Sequence, residues 1–168
     1  KSLADLKGRT LAADMGSGQF QVLSIVAKSL GIDLRKDVQV INANYAVSRA
    51  QLAADRVDAA MMIEPITTMM VTENPALNLI FHAEKAWQTM TGGITGWELV
   101  YAMRSDTIKA RPHLVKKFID TLKDTSVFMR EHSDAADKIV SETTKLPAGT
   151  IKAAIAGQRL NFLPLPIG

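Results

Sequence analysis

A chain of 168 residues with a net charge of +3 and no cysteine suits one compact domain, or one and a half lobes of a larger protein. The absence of thiols removes disulfides, thiolate nucleophiles and thiolate metal sites together, and fits a secreted or periplasmic bacterial protein without excluding the cytoplasm. No apolar run nears the roughly 20 residues of a membrane-spanning helix. Interspersed cations and 5% aromatic residues offer nucleic acid neither a basic block nor a stacking platform.

The chain opens at Lys1 without an initiator Met or a signal-peptide pattern, so a processed or excised chain is expected. Thr10 to Asp14 reads as a buried strand, followed by the turn Gly16-Ser17-Gly18. The next helix sets Phe20, Leu23, Val26, Ala27 and Leu30 on one apolar face, and Gly31 suits a left-handed cap. Ile32 to Asp37 is a charged turn, and Val38 to Ile41 a second strand. Asn42, Ala43, Asn44 and Tyr45 form a loop before a short helix over Val47 to Ala54. Asp58 to Met62 is a third strand, and Pro65 suits the first turn of the next helix. A fourth strand is expected at Leu77 to Phe81, and a mobile Thr- and Gly-rich loop from Trp87 to Gly96.

Trp97 to Met103 reads as a strand, and three helices follow. The first runs from Pro112 to Glu131, with Leu114, Val115, Phe118, Ile119 and Leu122 on one face. The second has Ser133 as its N-cap. The third spans about Ala148 to Gln158 and buries Ile151, Ala154 and Ile155. Leu163-Pro164-Leu165-Pro166 should be extended. Strands alternating with helices over short connections predict an α/β fold with a mostly parallel sheet. Ligands of such sheets sit beyond the carboxyl ends of the strands. That edge would hold the Gly16–Gln19 turn, the Asn42–Tyr45 loop and Glu64.

A helix opening at a glycine-rich turn leaves backbone N–H groups unpaired, with the positive end of the helix dipole behind them. Gly16, Ser17, Gly18 and Gln19 therefore suit a small anion or a polar oxygen, and a plain strand-to-helix turn capped by Ser17 is the competing reading. Nicotinamide binding is disfavoured, because Gln21 stands where the third fingerprint glycine belongs. A phosphate-binding loop fails for want of Gly-Lys-Ser/Thr, and Ser17 lacks the flanking glycines of a nucleophile elbow. His82, His113 and His132 have no ligand or base spacing, and the last two should be exposed. Glu64 either binds a donor group of a solute or caps the helix after it. Trp87 and Trp97 flank the glycine-rich loop, and Trp97 suits a cleft wall. The Met61-Met62 and Met69-Met70 pairs read as core filler.

Asp5-Leu6-Lys7-Gly8-Arg9-Thr10-Leu11-Ala12, Gly16-Ser17, Leu30-Gly31-Ile32-Asp33, Val57-Asp58-Ala59-Ala60 and Glu64-Pro65 stand in a telling order. With Arg111-Pro112-His113-Leu114-Val115-Lys116-Lys117-Phe118, they resemble the periplasmic substrate-binding proteins of nitrate/sulfonate/taurine-type ABC importers. That family includes binders of thiamine-precursor pyrimidines. One departure is Asp55, where the family usually has Gly, and Asp tolerates the left-handed region. Family members are also longer and open with a first lobe before the Asp-Leu-Lys-Gly segment.

The resemblance implies a type II periplasmic-binding-protein fold with an incomplete first lobe. Residues 1–96 would be the solute-binding second lobe, and residues 97–168 the return strand and helices of the first. It implies capture of a small anionic or heteroaromatic solute without chemistry, cofactor or metal. Gly16, Ser17, Gly18, Gln19, Asn44, Tyr45, Glu64 and Trp97 are the expected ligand-binding residues. The implied partner is an ABC transporter permease, outside the cytoplasmic membrane, in a periplasmic or extracellular setting compatible with a lipid anchor. A homo-oligomer is expected from apolar helix faces that a first lobe would cover. The alternative is a ligand-sensing domain of a receptor or regulator, with an enzyme of thiamine-precursor synthesis third.

Overall fold

The computed structural model describes residues 1–94, 99–160 and 162. The chain divides into two compact units, Lys1–Glu98 and Leu99–Gly168.

In the first unit a 3-10 turn, Leu3–Leu6, leads into β1 (Thr10–Ala13), α1 (Gly18–Ser29), α2 (Leu34–Asp37), β2 (Gln39–Asn42) and α3 (Tyr45–Ala53). Then come β3 (Ala59–Ala60), α4 (Ile66–Glu73) and α5 (Ala83–Thr91). The sheet is parallel in the order β2-β1-β3, with Ala13 beside Asn42 and Ala12 beside Ala60. The chain steps from β1 to β2 on one side, then crosses back to β3 on the other. Right-handed crossovers in opposite directions put α1 and α3 on opposite faces of the sheet.

Leu11 and Ala13 join Phe20, Leu23, Val26, Ala27, Leu34 and Val38 in one apolar cluster. Ala12, between them, is fully buried and points to the other face by strand alternation, toward the layer of α3. Of the two methionine pairs, Met61 and Met70 are buried as core filler, whereas Met62 and Met69 are only half-buried. The amino ends of β1 and β3 are tied by Asp58, which accepts from the Thr10 N–H at 2.9 Å and the Thr10 hydroxyl at 2.7 Å. Arg9 adds a third bond at 3.1 Å.

Several expectations change. Leu30 is 62% exposed, because α1 ends at Ser29 and Gly31, at φ +73°, turns the chain away. The charged turn after Ile32 is a short helix, capped by the Asp33 carboxylate on the Arg35 N–H. Asp55 does adopt the left-handed region, at φ +52°. The third strand is only two residues long, although Asp58 N–H to Thr10 O and Met61 N–H to Ala12 O continue its pairing at both ends. Leu77–Phe81 is not a strand; Ile80 and Phe81 pack on the apolar cluster without ladder bonds.

The expected loop from Trp87 begins instead inside α5. His82 Nδ1 accepts from the Lys85 N–H at the start of that helix, and Gly92, at φ +72°, ends it. Thr89 and Thr91 hydroxyls bond back to the Lys85 and Trp87 carbonyls, so their polarity is absorbed within the helix.

The second unit holds α6 (Ser105–Ala110), α7 (Pro112–Glu131), α8 (Ser133–Thr144) and α9 (Thr150–Ala156). Helix α6 was not foreseen, and residues 99–103 form no strand among the described residues. The Tyr101 ring meets the Phe118 ring edge-on at 5.4 Å. Helix α7 has the expected bounds, yet Leu114, Phe118 and Ile119 on its apolar face are 39–47% exposed. Ser133 is the first residue of α8 and makes no capping bond; His132 occupies the cap position. Ile151 and Ala154 of α9 are buried, as expected, but Ile155 is only half-buried, and the helix runs from Thr150 to Ala156, shorter than expected at both ends. Of the Leu163–Pro166 segment, every residue lies outside the described residues.

Candidate functional site

The site follows from the sheet order. Where successive connections leave a parallel sheet in opposite directions, the loops after two neighbouring strands diverge and leave a crevice at the carboxyl edge. Here that point lies between β1 and β3. The loop after β1 holds Gly16–Gln19, the loop after β3 ends in Glu64, and the β2–α3 connection holds Asn44 and Tyr45.

The turn after β1 is held from within by Asp14. Its Oδ1 accepts from the Gly16 N–H at 3.0 Å, and its carbonyl accepts from the Ser17 N–H at 3.1 Å and the Ser17 hydroxyl at 2.8 Å. Ser17 Oγ in turn accepts from the Phe20 N–H at 3.1 Å, so Ser17 is the N-cap of α1. The expectation that Ser17 offers its own backbone N–H outward is therefore corrected, since Asp14 takes that donor. Gly18 is different. It is exposed, and its N–H has no acceptor among the described residues. Gly18 does not adopt a positive φ, and a Cβ built there meets nothing within 4 Å. Its small size keeps the helix N-terminus open rather than relieving strain.

The β2–α3 connection reaches the turn at both ends. Asn42 Oδ1 accepts from the Met15 N–H at 3.1 Å, and the Tyr45 hydroxyl donates to Gln19 Oε1 at 3.3 Å. Asn44 is the N-cap of α3, its Oδ1 accepting from the Val47 N–H at 3.0 Å, so Tyr45 is helical rather than part of a loop. Gly16–Gln19 and Tyr45 are thus brought together, with Asn44 directly before Tyr45. The sequence placed Asn42 in the edge loop without naming it as a site residue and did not single out Asp14; both are polar residues at the carboxyl end of a strand, which is the signal that points to them.

Glu64 spends its carboxylate on α4. It accepts from the Thr68 hydroxyl at 2.7 Å and the Thr68 N–H at 3.3 Å, and Thr68 is fully buried. Of its two readings, capping is the one these bonds express. Trp97 lies outside the described residues. Trp87 sits on α5, which packs on α1. Residues 14–19, 42–45 and 61–65 contain no Lys or Arg, so the turn's affinity for a negative atom rests on the α1 dipole and its N–H groups.

A second depression, of about 480 Å³, lies at the opposite edge of the sheet between Thr10, Leu52, Arg56, Asp58 and Leu77. Two of its polar residues, Thr10 and Asp58, bond each other. The Thr10 N–H is the largest cause holding the Asp58 carboxyl below its ordinary range, followed by the Thr10 hydroxyl, with Arg9 adding less. His113 and His132 are exposed. Among the described residues no three His, Asp or Glu stand close enough to hold a metal.

The comparisons bear on the fold and the family. The chain overlays the periplasmic aliphatic sulphonate binding protein SsuA from Escherichia coli with a TM-score of 0.75 and 18% identity. It overlays the alkanesulfonate-binding protein SsuA from Xanthomonas axonopodis pv. citri, solved bound to MOPS, with a TM-score of 0.68 and 22% identity. Each match covers 93% of this chain and 50% of the other, so the chain spans about half the length of these structures. At these identities the likeness establishes the fold, an α/β periplasmic-binding-protein lobe. No curated protein sequence matches the chain. The family model described as NMT1/THI5 like matches residues 1–136, and the chain belongs to that family.

Proposed function

We propose that the chain is the solute-binding component of an ABC importer, capturing a small anionic or heteroaromatic solute without chemistry. The observation that carries this reading is the N–H of exposed Gly18, which has no acceptor among the described residues and stands at the N-terminus of a twelve-residue helix. The turn around it is hydrogen-bonded through Asp14, Ser17 and Asn42, and Gln19, Asn44 and Tyr45 flank it. Such a site suits an oxygen of a sulfonate, nitrate or carboxylate, or an acceptor nitrogen of a pyrimidine. Glu64 borders the same crevice from the β3 side. Trp97 is proposed as a wall of the cleft on the sequence argument alone.

The family and the sulfonate-binding proteins of the same fold support this assignment. They also support a periplasmic or extracellular setting and a permease as partner. Residues 1–96 serve in this reading as the solute-binding lobe, and residues 97–168 as a return segment belonging to a companion lobe. The test is a thermal-shift screen with taurine, methanesulfonate, nitrate and 4-aminopyrimidine, followed by calorimetry on those that stabilise. A ligand at a hundredfold excess over its Kd stabilises by about 2.7 kcal/mol. Stabilisation by at least one class is expected; silence from all of them overturns the reading.

A further inference from the structure

We propose that Asn42 is a positioning residue of the solute site, acting through the turn that presents the Gly18 N–H. The inference rests on the reading of that turn as the solute-facing element.

Asn42 is the last residue of β2 and lies in register with Ala13, the last residue of β1. The Ala43 N–H bonds to the Ala13 carbonyl at 3.0 Å and carries the ladder one step further. At that point the two chains part, and the Asn42 side chain bridges them through Oδ1 to the Met15 N–H at 3.1 Å. The bonds made by Asp14 to Gly16 and Ser17 lie within the turn. They fix its internal shape but not its placement over the sheet. The apolar face of α1 seats the helix on β1, and two side-chain bonds from the β2–α3 side hold the turn at its start, one between the Met15 N–H and Asn42 Oδ1 and one from the Tyr45 hydroxyl to Gln19 Oε1. The Gly18 N–H lies between these two anchors. With no acceptor of its own among the described residues, its direction is the direction of the turn. Asn42 is exposed, so trimming it opens no cavity and removes little besides the bond to Met15.

The test uses the ¹⁵N-labelled 168-residue chain and its Asn42→Ala and Asn42→Asp variants. Amide exchange at Met15 reads the bond, and the Gly18 amide shift is titrated with methanesulfonate and, separately, with 4-aminopyrimidine. In Asn42→Ala, the Met15 amide should exchange about tenfold faster, and the probe that moves Gly18 in the parent should bind about five- to tenfold more weakly. Asn42→Asp keeps an acceptor for Met15. It should retain Met15 protection and parental affinity for 4-aminopyrimidine, while its charge weakens methanesulfonate. If neither probe moves Gly18 in the parent chain, the site reading falls and this inference with it. If a probe moves Gly18 in the parent and binds Asn42→Ala equally well, the positioning role alone is overturned. Should Asn42→Ala fail to fold, an Asn42→Asp chain that keeps Met15 protected but loses 4-aminopyrimidine also overturns it.

Discussion

Asp58 and Thr10 bond to each other in both directions. The Thr10 N–H and hydroxyl donate to Asp58 Oδ2 at 2.9 and 2.7 Å, and the Asp58 N–H donates to Thr10 Oγ1 at 3.0 Å. This pair closes the amino ends of β1 and β3, where the ladder is only two residues long. Asp58→Ala removes the acceptor for two donors at once, and the melting temperature should fall by a few degrees. Asp58→Asn, which keeps one acceptor oxygen, should fall less. Equal melting temperatures for Asp58→Ala and the parent would show that β3 is held by its backbone alone.

In the second unit a carboxylate does for a helix what Asp58 does for the sheet. Asp137 of α8, only 7% exposed, accepts from the N–H groups of Gly149 at 2.6 Å, Ile151 at 2.9 Å and Lys152 at 3.2 Å. These are the donors left over at the start of α9. Asp137→Ala should cost about 2–3 kcal/mol, since three donors lose a charged acceptor together. Denaturant unfolding measures it, and a loss below about 0.5 kcal/mol would contradict the capping role.

The same two carboxylates predict an acid limb. Burial opposes the charge of Asp137, but the Gly149, Lys152 and Ile151 N–H groups outweigh it, so its carboxyl titrates below the ordinary range. Asp58 is lowered too, by the bonds from Thr10 first. A carboxyl whose pKa is lower folded than unfolded contributes its full stabilisation above the unfolded value, about 3.9 for Asp. That contribution declines as the pH drops below this value and is gone beneath the folded pKa. Asp137→Asn should therefore flatten the acid limb of stability below about pH 4 while leaving its shape near neutrality unchanged. An unchanged acid limb in Asp137→Asn would remove Asp137 from this account.

Much of the architecture was legible because it rests on local chemistry. Thr10–Ala13 between polar residues, Ser17 before an apolar helix face, and Gly31 after its end each specify an element without help from elsewhere. Leu77–Phe81 and residues 99–103 misled because strand propensity counts only where a ladder partner is present. The Thr-rich run to Thr91 misled for the opposite reason, its hydroxyls being satisfied by carbonyls one turn back. At the site, Gly16–Gln19 and the Asn42–Tyr45 loop could be read from their places after strands, whereas the bond made by Asn42 could not. That bond, to Met15, spans 27 residues and exists only because β2 pairs beside β1.

The uncovered face of α7 predicts self-association. Leu114 and Phe118 are 47% and 39% exposed, and Tyr101, packed on Phe118, is 64% exposed. Contiguous apolar surface of this kind associates in water. Light scattering of the 168-residue chain should show a mass that rises with concentration, and a Leu114→Glu/Phe118→Glu double variant should move it toward the monomer. A parent that stays monomeric at high concentration would count against an oligomer built on this face.

The last prediction concerns Gly18, whose surroundings make it an unusually clean probe. A Cβ there meets nothing within 4 Å and the backbone is not in the left-handed region, so Gly18→Val fits without strain. Replacing glycine at a helix start also removes its backbone entropy penalty, so stability should hold or rise slightly. The branched side chain would nonetheless stand over the helix N-terminus and keep a solute atom from the Gly18 N–H. A hydrogen bond to a charged group is worth about 1.5–3 kcal/mol, and about 1.4 kcal/mol is tenfold in affinity. Calorimetric titration with the solute identified by thermal shift should therefore show at least a tenfold weakening, with the melting temperature of the free protein unchanged or higher. Affinity equal to the parent's would make the turn a helix cap and nothing more, and the solute contacts would then have to come from Asn44, Tyr45 and Glu64.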